Sequence, residues 1–260
     1  MSNVAADAAP RTGTPLARAL PAVREVGLLA VLYLGYTASR LLASDDAHSA
    51  REVAGWILEV QQGLGIAVEA ELNGWTAAHV GVGVAASYWY SVTHYAVTGL
   101  VLLGIWLRRP DTYRTTRTVL VAATLTALAC YLAVPVAPPR LMPGYVDVLA
   151  QTAPWGWWGG SASAPRGLGS MTNQLAAMPS MHVGWAVWVA LALSRVVPPS
   201  WRRAVWAYPV LTTVVVVLTG NHWVLDAVAG AAVVLLVDRA VRAWAVRRGV
   251  SGPARPPAPR

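Results

Sequence analysis

MPSMH (Met178–His182) and GNHWVLDAVAG (Gly220–Gly230) bracket the stretch that decides how this chain folds. Two apolar runs lie between them, Val183 to Val197 and Val205 to Leu218, joined by a turn that carries Pro198, Pro199, Arg202 and Arg203. Read as membrane helices, the two runs form a hairpin that returns the chain to the face it left. His182 and His222 then stand at the same depth. Asp226 follows His222 by four residues, one helical turn, so the two side chains can meet. Two histidines and a carboxylate at one end of a helical hairpin point to chemistry.

The composition agrees with a membrane setting. Of the 260 residues 56% are hydrophobic and 12% charged, against about 25% charged in soluble domains. Mean hydropathy is +0.47, and several windows approach the roughly 20 apolar residues that cross a bilayer. The expected fold class is all-α: a polytopic membrane bundle of about six transmembrane helices plus an amphipathic interfacial helix. All 20 basic residues are arginine, giving a formal net charge of +8. Most of them sit at the ends of apolar runs, where membrane topology accounts for them, so no nucleic-acid partner is expected. Cys130 is the single cysteine, which excludes a disulfide framework and reads as a small core residue.

Outward from the motifs, residues 246–260 form a Pro-rich tail and residues 1–23 an Ala/Pro/Arg-rich one. Both are expected to be disordered and cytoplasmic, with residues 24–245 as the catalytic membrane domain. The first 23 residues lack an apolar core followed by a cleavage site, so no secretory signal peptide is expected. Val26 to Ala43 is the first candidate span. Asp46 can cap the segment Ala50 to Leu72, in which Val53, Trp56, Ile57, Val60, Leu64 and Val68 recur at helical spacing among Glu52, Glu59, Gln62 and Glu69. That pattern predicts an amphipathic helix lying on a surface. Trp75 to Leu107 predicts a short buried helix and then a span, with SYWYSVTH (Ser87–His94) in its middle. Thr118 to Val136 predicts the next span, and Trp223 to about Val237 the last. The long connection Ala137 to Ala177 is of the kind that usually carries function; its Trp155, Trp157 and Trp158 read as an interfacial anchor.

Arginine placement sets the expected orientation. The Arg108–Arg117 loop, the Arg202–Arg203 turn and the Arg239–Arg248 end fall on one side, which the positive-inside rule makes cytoplasmic. The Ala137–Ala177 loop, His182 and His222 then face outward across what is expected to be a bacterial plasma membrane. Arg140 and Arg166 stand out, because topology does not call for arginine in an outer loop.

Each candidate residue has a chemical reading. Asp226 holding one nitrogen of His222 would fix the tautomer and leave the other as a nucleophile. His182 follows Pro179 and Ser180, a fitting helix start. Amides at such a start favour phosphate, with Ser180 as a further ligand, and a histidine there can protonate a leaving oxygen. Arg140, stiffened by Pro138 and Pro139, offers a guanidinium fork that matches phosphate oxygens. Arg166 sits in a looser Pro-Arg-Gly context. Tyr131, Asp147 and Asn173 read as structural groups around the same mouth. Tyr90 and His94 lie within an apolar segment, His94 as a hydrogen-bonded core histidine that could assist the site. His48 and His79 read as surface or packing residues. No metal or cofactor is expected, although His182, His222 and Asp226 could also be read as metal ligands, and a proton-coupled transporter is a further alternative.

PSMH and GNHWVLDAVAG resemble the second and third signature motifs of the phosphatidic acid phosphatase type 2 superfamily. YLAVPVAPPRL (Tyr131–Leu141) is most similar to the branch containing inositol phosphorylceramide synthases and their bacterial relatives. The likeness runs from about Trp75 to Arg239. It implies six helices around an outward-facing or lumenal site. The residue matching His222 attacks phosphorus, the one matching His182 protonates the leaving alcohol, and the one matching Asp226 orients the nucleophile. Two of the three motifs depart from the usual pattern. Ala133 and Leu141 stand where the first motif has Lys and Pro, and Val216 stands where the third has Arg. The implied activity is therefore lipid phosphate hydrolysis through a phosphohistidine or, equally open on these motifs, transfer of the phosphoryl head group to an alcohol.

Overall fold

The computed structural model describes residues 46–159, 162–165 and 173–248, with isolated helical positions at Val23, Glu25, Gly27, Ala30 and Leu34. The expected first span and both tails fall almost wholly outside the described residues, as does Arg166. The chain divides into two compact units, Met1–Ala38 and Ser39–Arg260; the second carries every motif.

Among its described residues that second unit is helical apart from one short antiparallel strand pair and the connecting loops. Helix α1 (Ala47–Gly63) starts where the Asp46 carboxylate accepts from the amides of His48 and Ser49. Two residues past its end Gly65 takes φ of 69° and turns the chain toward α2 (Glu69–Ala78). Helix α3 (Val80–Tyr88) runs through a π-helical turn (Trp89–Thr93) into α4 (His94–Arg108). Helix α5 (Pro110–Ala133) follows, with Pro110 in its first turn, where the missing N–H costs nothing. The long connection is structured: a 3-10 turn (Pro139–Leu141), α6 (Val148–Thr152), and strands β1 (Trp158–Gly159) and β2 (Ala162–Pro165) paired antiparallel. Helices α7 (Met181–Ser194), α8 (Ala207–Leu218) and α9 (Val224–Arg247) complete the unit.

Helix α7 lies at the centre, packed on α4, α5, α8 and α9. It is apolar all round, as a fully surrounded helix must be; Val183, Ala186, Val187, Trp188, Val189 and Ala190 are all buried. The residues 80–108 and the helix Pro110–Ala133 are long and apolar enough to cross a membrane. Their outward faces stay apolar, with Leu100, Leu103, Leu107 and Leu125 exposed.

Two expectations need correcting. The amphipathic segment is not one helix but two, broken between Gly63 and Glu69, and it does not lie wholly on a surface. Ala50, Ala54, Ile57 and Gln61 form the buried face of α1, while Trp56, Val60 and Leu64 are exposed. Glu69, expected on a solvated face, is completely buried. Nor is Trp158 an interfacial anchor: it is buried and its indole N–H donates to Leu149 O at 2.9 Å. Trp155 and Trp157 do remain exposed.

Candidate active site

The two motifs meet because α7 and α9 approach closely at their starts. Gly230 faces the backbone of Ser180 so tightly that a Cβ there would overlap the Ser180 carbonyl. The amide of Ser180 donates to Asp226 O at 2.8 Å. On the other side the Tyr131 hydroxyl donates to Pro179 O at 2.6 Å. The PSMH segment is thus pinned between α5 and the first turn of α9, and His182 is delivered beside His222 with ring centroids 5.6 Å apart.

His222 lies just before α9, after a turn in which Gly220 takes φ of 70°. A side chain at Gly220 would also press on Asn73 Nδ2 at 2.9 Å and Val146 O at 3.1 Å. His222 Nδ1 lies 2.9 Å from Ala177 O and 3.4 Å from Asp226 Oδ2. Both neighbours are acceptors, so Nδ1 carries the proton and Nε2 keeps the lone pair. The shorter contact is to the carbonyl, so the carboxylate shares the orienting role with the backbone. Asp226 itself is completely buried. Its Oδ2 accepts from the Trp223 amide at 2.8 Å, closing the helix start, while Oδ1 has no hydrogen-bond partner.

Arg140 arrives from the long connection. Its amide donates to Gly220 O at 2.8 Å, which places it against the turn that carries His222. Its Nε donates to Asn221 Oδ1 at 2.9 Å, and one terminal nitrogen lies 3.4 Å from Asp147 Oδ2 and 3.5 Å from Gln174 Oε1. Asp147 also accepts from the Ala150 amide, capping α6. Ser180, expected as a phosphate ligand, is fully buried, and its Oγ faces the Val183 amide at 3.5 Å as the cap of α7. Asn173 accepts from the Leu175 amide. His48 pairs with Glu52, and His79 bonds Trp75 O; both belong to the exposed edge, as expected. Cys130 is partly exposed rather than core.

Sequence reasoning missed a set of polar residues on the opposite side of the same turn. Glu69 Oε1 accepts from Gln61 Nε2 at 2.8 Å and from the Val224 amide at 2.7 Å. Gln61 Oε1 accepts from the Leu225 amide at 2.9 Å. Together with Asp226 they satisfy the first amides of α9, which have no partner inside the helix. One turn on, Asn73 donates to Val146 O and Leu218 O and accepts from the Val146 amide, tying the Arg140–Asp147 segment to the His222 turn. The available signal was Glu69, Asn73 and Thr76 at i, i+4 and i+7, a polar stripe on one helix face. Above it stands Tyr145, edge-on to Trp223 with ring centroids 5.5 Å apart. Burial, and secondarily the Glu69 carboxylate, raise its phenol above the usual value.

Among the described residues, no three His, Cys, Asp or Glu side chains converge so as to hold a metal ion. The arrangement is that of a helical protein with an oriented imidazole and a second imidazole beside it. The family comparison gives this class its name: the model of the PAP2 superfamily matches residues 55–239, and the chain belongs to that superfamily. Its members are typically phosphoesterases or phosphotransferases, which makes an enzyme of that general kind. The matched stretch begins within α1 and so includes Gln61, Glu69 and Asn73. Comparison with curated proteins and with solved structures returned no match.

Proposed function

We propose that this chain hydrolyses a lipid phosphoester through a phosphohistidine formed on His222. The observation that carries the reading is the placement of His222 Nδ1 between two acceptors, Ala177 O and Asp226 Oδ2, which leaves Nε2 as the nucleophile. Nε2 attacks phosphorus as the ester P–O bond breaks, and protonated His182 gives its proton to the departing alkoxide. Water then attacks the phosphohistidine, His182 takes the proton back, and the P–N bond breaks to release phosphate. Arg140, held by Asn221, Asp147 and Gln174, balances the negative charge on the phosphoryl oxygens, with Arg166 as a second cation. Ser180 sets the start of α7, whose amides face the same charge.

The proposed setting is a bacterial plasma membrane crossed about six times by residues 24–245. The site faces outward and both tails lie inside. The exposed Trp56, Val60 and Leu64 on α1 suit a helix resting at the interface. Cysteines introduced into the Ala137–Ala177 loop are expected to react with an impermeant thiol reagent on intact cells, and cysteines near Arg114 or Arg202 are not. The reverse pattern would put the site on the cytoplasmic face.

The similarity of YLAVPVAPPRL to the inositol phosphorylceramide synthase branch supports a second acceptor, an alcohol in place of water. One experiment separates them: purified protein with a panel of lipid phosphates and phosphodiesters, with and without inositol. Release of inorganic phosphate in both arms, lost in His222→Ala, is the expected result. Product formed only with inositol makes the chain a transferase, and undiminished turnover in His222→Ala removes the phosphohistidine.

A further inference from the structure

A general acid must present one nitrogen to the leaving oxygen within hydrogen-bond reach, and an imidazole free to rotate does so only part of the time. His182 Nε2 is buried and has no hydrogen-bond partner to fix its direction. Two rings from the span of residues 80–108 lie against it. Tyr90 stacks on the His182 imidazole with centroids 4.0 Å apart and planes 21° from parallel. His94 approaches to 4.1 Å at 57°. Tyr90 and His94 are themselves 6.4 Å apart, as expected of neighbours that hold a third ring.

Both come from one unusual piece of backbone. Trp89–Thr93 is a π-helical turn inside an otherwise α-helical span, a feature frequent at functional sites. The turn is anchored from outside: Trp89 donates to Thr212 Oγ1 at 3.3 Å and lies 5.8 Å from the Tyr208 ring, both on α8. Its inner face carries Tyr90, Ser91 and, at the next residue after the turn, His94, all buried. A wide turn braced on α8 thus presents two rings to a histidine on α7.

We propose that Tyr90 and His94 are positioning residues for His182 in its role as the acid, an inference that rests on the reaction given above. The stacked phenol ring fixes the plane of the imidazole, and its π face favours the protonated, cationic ring over the neutral one. His94 closes the tilted side and prevents the ring from swinging into the span. Neither residue is proposed to touch phosphorus. Their effect on the first step, formation of the phosphohistidine, is therefore confined to leaving groups that need a proton.

That confinement is the test. Wild type, Tyr90→Leu, Tyr90→Phe, His94→Ala and His182→Ala are assayed on an alkyl lipid phosphate, whose leaving alkoxide needs a proton, and on p-nitrophenyl phosphate, whose leaving group does not. Tyr90→Leu and His94→Ala are expected to lose about tenfold or more in kcat/KM, which reports the steps up to release of the leaving group, on the alkyl substrate and less than about threefold on the aryl one. His182→Ala should show the same difference, enlarged. Tyr90→Phe keeps the stacking face and should recover most of what Tyr90→Leu loses. Equal losses on both substrates, at an unfolding midpoint lowered to match, would reduce the two rings to core packing and overturn the proposal. So would a Tyr90→Phe as damaging as Tyr90→Leu. A wild type that turns over neither substrate would instead remove the phosphoester reading, and this inference with it.

Discussion

Helix α9 carries two carboxylates, and the protein treats them in opposite ways. Asp226 sits in the first turn, completely buried, beside His222; Oδ2 closes the helix start and Oδ1 has no hydrogen-bond partner. Asp238 lies twelve residues on, about 18 Å along the axis. There each oxygen is taken by a guanidinium, Arg195 at 2.6 Å and Arg242 at 2.9 Å. One carboxylate is neutralised by two permanent cations and has nothing left to give. The other faces the imidazole proposed above as the nucleophile. An unfilled buried oxygen is costly to maintain, and it stands at the end of the helix where both motifs converge. On the proposed mechanism, saturation marks the structural end of α9 and incomplete saturation the reactive one.

The largest expected effect tests the reactive end. Asp226→Asn preserves the acceptor for the Trp223 amide, so the helix start should survive. The charge facing His222 Nδ1 is lost, because the same oxygen serves both groups and becomes a neutral carbonyl, a weaker partner for an imidazole that gains charge. Turnover on a lipid phosphate is expected to fall on the order of a thousandfold, with the unfolding midpoint close to wild type. The Ala177 carbonyl still holds Nδ1, so a residue of activity should remain, unlike His222→Ala. Wild-type turnover in Asp226→Asn would break the comparison at its stronger side.

A smaller effect is expected at Arg140, the cation proposed to meet the phosphoryl oxygens. Its guanidinium is ordered in advance by Asn221, Asp147 and Gln174, so binding a phosphoryl group costs it little further ordering. Arg140→Lys keeps the charge but cannot hold Asn221 through Nε and present a fork at once. A loss of about 2 kcal/mol, roughly thirtyfold in kcat/KM, is expected. Arg166→Lys should be milder, since its Pro-Arg-Gly sequence context lacks the paired prolines that precede Arg140. Turnover of both variants on one lipid phosphate decides it. A more damaging Arg166→Lys would transfer the phosphate-binding role to Arg166.

This contrast was only half legible in the sequence. His182, His222 and Asp226 stood out because residue type and spacing predict that they meet, and the helical hairpin between them follows from two apolar runs of matched length. Gln61 and Glu69 did not stand out, for a physical reason. Periodicity shows that a helix has an apolar stripe but not which side faces the protein. On α1 the apolar Trp56, Val60 and Leu64 are exposed, and the inward face is the one with Ala50, Ala54, Ile57 and Gln61. Against an apolar surrounding the usual inside-out rule no longer discriminates, and a Glu among hydrophobic residues looks solvated when it is capping a neighbouring helix. The π-helical turn was invisible for a different reason. SYWYSVTH has no sequence signature of a widened turn, and its two inward rings are defined only by the helix that meets them.

The smallest effect on turnover is expected from Asp238→Asn, and it tests the other side of the comparison. Arg195 and Arg242 are each about one-third exposed and Asp238 nearly buried, with side-chain exposures of 29%, 32% and 9%. The two ion pairs therefore fall between a surface bridge, worth at most about 1 kcal/mol, and a buried one, whose rupture costs about 3–5 kcal/mol. Removing the charge leaves two guanidiniums close together with a single neutral acceptor. A destabilisation of about 2 kcal/mol follows, read as a lower unfolding midpoint of the purified protein in detergent, and it should shrink in high salt as the repulsion is screened. The reactive end lies about 18 Å away along a helix that is held independently by Gln61, Glu69 and the Ser180 amide. Below the midpoint, kcat/KM should accordingly stay within about twofold of wild type. A pattern reversed from that of Asp226→Asn, stability lost and chemistry kept, is what two differently used carboxylates on one helix require. If Asp238→Asn instead abolished turnover with its midpoint intact, the saturated end would belong to the mechanism, and saturation would no longer distinguish a structural carboxylate from a reactive one in this bundle.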